Sequence, residues 1–185
     1  MRNKHLIILL AVLFIAGKSK AQMAFLDTAE KVNTYPKVEW IKGEPFSAFD
    51  SSKIYVIDLW ATWCKPCLAS MPHLNEMSKK FKGQIVFLAQ NVMEDDQVKV
   101  TEFVARQGDN MDMKVAFGGP RGGDFDKKWI QASGTQSIPR TFVIQNNTLV
   151  WITTPDNLNE AVLQLLINKK FSIAAAEKIN QHILP

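Results

Sequence analysis

Cysteine and histidine are scarce in this chain. Among 185 residues there are two cysteines, Cys64 and Cys67, and three scattered histidines, His5, His73 and His182. A closed zinc site takes about four such ligands, so no metal is expected. An excess of one charge is also lacking once the N-terminus is set aside. Residues 1–21 hold four of the 22 Lys and Arg and none of the 18 Asp and Glu, which leaves 18 of each in residues 22–185. The sequence pI of about 9.0 belongs to those first residues. Nucleic-acid binding, which draws on a basic face of the folded protein, is not expected. No internal repeat, low-complexity tract or Pro/Gly-rich linker divides the chain. No apolar run after the N-terminus is long enough to span a bilayer, which takes about 20 residues.

What the N-terminus does have is a basic start, Met1-Arg2-Asn3-Lys4, then an uncharged apolar stretch from Leu6 to Gly17, then Lys18-Ser19-Lys20-Ala21. This is the pattern of a secretory signal peptide over residues 1–21, cleaved after Ala21. Its apolar core is short for a membrane span; the alternative is an uncleaved leader that anchors the protein to the membrane. Export to the periplasm places the cysteines where disulfides persist. Residues 22–185 are one domain by length and long enough for a full core.

Strand-like and helix-like stretches alternate through the rest. A short helix near 24–32 and an extended piece at 38–41 come first, ended by Gly43 and Pro45. Residues 54–60, Ile-Tyr-Val-Ile-Asp-Leu-Trp, read as a buried strand. A helix from the cysteine pair to Phe81 would bury Leu68, Met71, Leu74, Met77 and Phe81, with a kink at Pro72. Strands at 84–90 and 114–117 and helices at 95–107 and 124–132 follow. Residues 141–144 and 149–152 form a hairpin across Asn146-Asn147, and helices at 157–167 and 172–182 close the chain. Such alternation builds a central sheet covered on both faces.

Cys64 and Cys67 stand three apart in Trp60-Ala61-Thr62-Trp63-Cys64-Lys65-Pro66-Cys67, where the strand gives way to the helix. The spacing suits reversible disulfide closure, so thiol–disulfide exchange is the leading reading. Free N–H groups at a helix start stabilise a thiolate. Cys64 would be the exposed nucleophile and Cys67 the buried resolving thiol, with Lys65 adding positive charge and Pro66 restricting the turn. The competing reading is an inert structural disulfide, but a bridge this short constrains the unfolded chain little. Asp58 interrupts an apolar strand, where a charge is costly unless paired or protonated. By alternation it shares a face with Trp60. With a raised pKa it could accept the Cys67 proton; otherwise it is a strand-end acid facing water. Pro139, in Ser137-Ile138-Pro139-Arg140-Thr141, precedes an apolar strand at a place where a cis bond can occur.

Together these residues resemble the thioredoxin superfamily, and within it the exported TlpA-like thiol:disulfide oxidoreductases. The resemblance runs from Pro36 to Phe171 and is strongest over 56–67. Pro72, Ile138-Pro139 and Asp58 fall at the family's helix-kink, cis-proline and buried-acid positions. The stretch between Asn91 and Phe117 is similar to the helix-strand insertion of the TlpA-like branch. The implied fold is α/β and thioredoxin-like: a central mixed β-sheet flanked by helices, with that insertion. The implied organisation is an N-terminal segment 22–45, a thioredoxin-like domain 46–168 and a helical tail 169–185.

The resemblance implies Cys64 as attacking and Cys67 as resolving thiol, with Asp58 handling the proton. It puts Trp63 on the rim and the backbone of Ile138, before Pro139, against an extended substrate. Lys65, Pro66 and Arg140 would tune the Cys64 pKa. It implies protein disulfides as substrates, a membrane protein as electron donor, no cofactor and a monomer. Departures are Ser70 where many relatives carry Glu, Thr153-Thr154-Pro155 where relatives often have Gly-His-Pro, and Arg140 in place of Thr after the cis-proline. Arg140 could lower the Cys64 pKa, favour acidic substrates or point to water. A peroxiredoxin needs Thr or Ser three before its reactive cysteine and Pro four before that; this chain has Ala61 and Ile57. A non-catalytic binding module sits poorly with an intact cysteine pair above Asp58. The residues favour a reductase over a periplasmic oxidase or isomerase.

Overall fold

The structure is a computed structural model and describes residues 27–183; the signal peptide expected over residues 1–21 lies outside them. Six strands form one sheet: β1 Glu39–Lys42, β2 Ile54–Trp60, β3 Ile85–Asn91, β4 Lys114–Phe117, β5 Arg140–Gln145 and β6 Thr148–Thr153. Their spatial order is β1-β4-β3-β2-β5-β6. β2, β3 and β4 run parallel, while β1, β5 and β6 join antiparallel. The sheet is mixed and flanked by helices, as expected from the alternation of elements.

All seven residues of β2 are buried, because it lies inside the sheet with both faces covered. On one face Val56, Trp60, Ala89 and Val143 pack with Cys67, Met71 and Leu74 of the helix α1 (Lys65–Lys80). On the other, Ile57, Leu59 and Phe142 meet an aromatic layer that includes Tyr35, Phe49, Phe125 and Trp129. Truncating a fully buried residue such as Leu74 to Ala would cost roughly 3 kcal/mol.

α1 starts as its sequence dictates. Pro66 sits in the first turn, where an N–H has no helical partner. Lys79 and Lys80 meet the negative end of the helix dipole. The helix continues through Pro72, which is exposed. α2 (Gln97–Gln107) begins two residues later than the pattern implied, since Asp96 caps it by accepting from the Lys99 amide. With β4 it forms the insertion. The helix expected at 124–132 is widened into a π-helix over Asp126–Gln131. The one expected at 157–167 divides into a 3-10 turn, Pro155–Asn157, and α3, Glu160–Ile167, capped by Asn159. Asn146 and Asn147 take φ of 52° and 54°, the left-handed values of a tight hairpin turn.

The helix expected near 24–32 is absent among the described residues. From Asp27 the chain is extended or turned, and its amides go to a sheet edge. Ala29 N–H donates to Leu149, Leu149 to Glu30 and Val32 to Asn147. Pairing with the open edge of β6 satisfies backbone groups that a short helix would leave free at its ends.

The tail forms α4, Ile173–Ile183. Ala176 is buried, Ile179 packs on the core and the Phe171 ring lies tilted against Trp151, centroids 5.5 Å apart. Ile173 stays exposed, so the tail docks through one face only. No helix among the described residues is long and apolar enough to cross a membrane.

Candidate active site

The two cysteines sit where β2 leaves the sheet and α1 begins. They are joined as a disulfide with a Cα–Cα separation of 5.3 Å. Cys64 is the N-cap of α1, and its sulfur accepts from the Cys67 amide at 3.3 Å. A thiolate formed at Cys64 would face that amide and the positive end of the helix. Cys67 is fully buried, with its sulfur 3.9 Å from the Leu59 carbonyl oxygen.

Cys64 departs from expectation. It is only 3% exposed, because its sulfur turns inward to Cys67 and joins the apolar cluster over β2. The side chain that does reach solvent is its neighbour Trp63, at 54%. Lys65 and Pro66 are exposed in the first turn. Ile138, Pro139 and Arg140 are half-buried, and the Ile138–Pro139 bond is cis. Ser70 donates back to the Cys67 carbonyl oxygen at 3.0 Å, so it serves the helix backbone.

Asp58 lies on the α1 face of β2, one residue before Leu59. It is buried, and burial raises its pKa to about 7. The Thr141 hydroxyl works the other way, donating to Oδ1 at 2.6 Å, and the charge of Asp156 adds to the rise. Oδ2 has no partner. A carboxyl in that state can give or take a proton near neutrality.

Sequence reasoning passed over Glu94. Its carboxylate, 8% exposed as a residue, accepts from the Thr62 amide at 2.7 Å, from the Thr62 hydroxyl and from Asn91 Nδ2 at 2.7 Å. It thereby pins the loop before Trp63-Cys64 to the end of β3. An isolated acid after a strand carries no periodic signal. Thr141 was missed for the same reason, since its role depends on β5 lying beside β2. No group of His, Cys, Asp and Glu that could hold a metal occurs among the described residues.

Comparison with known proteins agrees with this architecture. Over 115 residues the chain is 25% identical to the protein FixW of Rhizobium leguminosarum, covering 58% of the chain and 51% of that relative. It is 32% identical over 92 residues to the thiol-disulfide oxidoreductase ResA of Geobacillus thermodenitrificans, covering 49% of the chain and 48% of ResA. The chain thus spans about half the length of these relatives. In fold it resembles the thioredoxin domain of a thiol-disulfide oxidoreductase from Bacteroides vulgatus, with a TM-score of 0.59 at 17% identity, over 76% of this chain and 99% of that one. StoA of Bacillus subtilis superposes at 0.51 with 16% identity, over 71% and 90% of the two chains. The Redoxin family profile matches residues 42–164, which take in β2, the cysteine pair, the insertion and the β5–β6 hairpin. With a thioredoxin-like fold around that matched region, the chain belongs to the Redoxin family of the thioredoxin superfamily.

Proposed function

We propose that this protein is an exported thiol:disulfide oxidoreductase that reduces disulfides in other proteins. The observation that carries the reading is the Cys64–Cys67 disulfide at the start of α1, with the buried carboxyl of Asp58 in the strand beneath it.

In the reduced protein the Cys64 thiolate attacks one sulfur of a client disulfide. A Cys64–client bond forms, the client disulfide breaks, and the first client sulfur leaves as a thiolate. Asp58 takes the proton of Cys67, and the Cys67 thiolate then attacks Cys64 Sγ. The mixed disulfide breaks, the second client thiolate leaves and is protonated, and the protein is left oxidised, as in this structure. Two electrons pass from the cysteine pair to the client. Trp63 forms the exposed rim, and the Ile138 backbone, before Pro139, pairs with the extended client. Lys65, Pro66 and the helix start favour the Cys64 thiolate.

A further turnover needs two electrons from a dithiol donor. In an exported protein these come from the cytoplasm through a membrane protein. The leader-like residues 1–21 and the disulfide pair support that setting.

The test is insulin reduction with the full mature chain. Cys64→Ser abolishes it, and Cys67→Ser accumulates mixed disulfides that resolve on a non-reducing gel. Full multiple-turnover dithiol activity in Cys67→Ser overturns the assignment of roles.

A further inference from the structure

We propose that Arg140 and the tail helix α4 form a subsite for a carboxylate-bearing segment of the client, next to the redox pair. The identity of the occupant as a client rests on the reading above; the subsite itself rests on the following geometry.

A groove of about 460 Å³ opens between the end of β6 and α4, and Arg140 at the start of β5 is among the residues that line it. Thr153 and Thr154 line it from the sheet, and Asn180 and Gln181 from the helix. Arg140 directly follows Pro139 and stands opposite Leu59 in the β2–β5 register. Leu59 is the residue whose carbonyl oxygen lies 3.9 Å from Cys67 Sγ. The groove therefore begins one strand away from the disulfide.

Arg140 is short of partners. Its Nε is shut off from solvent and meets no acceptor. No carboxylate among the described residues pairs with its guanidinium. The two terminal nitrogens of the guanidinium are not enclosed in this way, and a carboxylate matches such a planar pair best through two parallel bonds. The wall facing it is built. Asn180 accepts from Asn159 Nδ2 at 2.6 Å and donates to the Asn157 carbonyl oxygen at 3.2 Å, which fixes α4 against the 3-10 turn. Apart from Arg140, the lining carries one charge, the acid Glu177 on α4, out of ion-pair reach of Arg140. It opposes an anionic guest and limits how many acids the groove accepts.

The test uses the full chain in its oxidised form, so no thiol exchange contributes. Two cysteine-free extended peptides, identical except for Glu against Gln at two positions, are titrated while backbone amide shifts are followed by NMR. The Glu peptide should bind about fivefold tighter, with the largest shifts at Thr153, Thr154 and Asn180. Arg140→Gln should equalise the two peptides, Arg140→Lys should restore part of the difference, and Glu177→Gln should widen it. Equal binding of both peptides, binding of neither, shifts confined to another face, or a Glu preference that survives Arg140→Gln overturns the proposal. Loss of insulin reduction with intact peptide selectivity would count against the redox reading alone.

Discussion

Thr141 donates its hydroxyl to one oxygen of Asp58 at 2.6 Å while the other oxygen meets no partner. The hydrogen bond favours the charged form, burial opposes it more strongly, and the carboxyl settles at about 7. The folded protein therefore keeps a proton that the unfolded chain, with Asp near its usual value, has already released. Between about pH 4 and 7 the native state binds the extra proton, so stability falls as pH rises through that window.

The expected result is a pH-dependent gap between the wild type and Asp58→Asn. Denaturant unfolding of the oxidised proteins should show the wild type losing up to about 4 kcal/mol relative to the variant between pH 4 and 7, and levelling off above. A gap that does not change with pH would mean that Asp58 is already ionised in the folded protein.

The same residue governs the proposed resolution step. Asp58→Asn cannot accept the Cys67 proton. Stopped-flow tryptophan fluorescence at neutral pH should find resolution slowed about 100-fold and the inflection near pH 7 lost. An unchanged pH profile would return Asp58 to a structural role.

Glu94 serves three donors, two of them on Thr62. Glu94→Ala strands the Thr62 amide and the Asn91 amide group, and should cost about 3 kcal/mol in equilibrium unfolding. Glu94→Gln keeps one carbonyl acceptor and should lose less. Hydrogen exchange at the Thr62 amide reports the clamp directly. Protection there that is the same in Glu94→Ala as in the wild type would show that the loop holds without it.

The direction of electron flow has its own test. A helix-start thiolate stabilises the reduced pair and makes it more oxidising. A reductase nonetheless needs a potential nearer the roughly −270 mV of thioredoxin than the −120 mV of a strong oxidant. Equilibration against glutathione should place this pair between the two, on the thioredoxin side. A value at the oxidant end would reverse the proposed direction to oxidase or isomerase.

Much of this was legible along the chain. The β2 run, the cysteine pair at a helix start, the hairpin across Asn146-Asn147 and the strand 114–117 all depend on neighbours a few residues away, through periodicity, capping and turn chemistry. The elements that read less well were those with competing local signals. The first described residues turned to the β6 edge instead of a helix. The π-helix, whose Trp129 and Ile130 lie in the cluster around the aromatic layer, has no local pattern that separates it from an α-helix.

By itself the sequence determined the order in which strand, cysteine pair and helix follow one another, because those signals are short-range. The tertiary structure alone decided how the chemistry is supported. Thr141 reaches Asp58 across 83 residues and Glu94 reaches Thr62 across 32, each through strands that are neighbours only once the sheet has formed. The shielding of Cys64 and the groove between β6 and α4 arise in the same way. Burial and long-range hydrogen bonds are properties of packed elements, and no local pattern of side chains encodes which distant element will supply them.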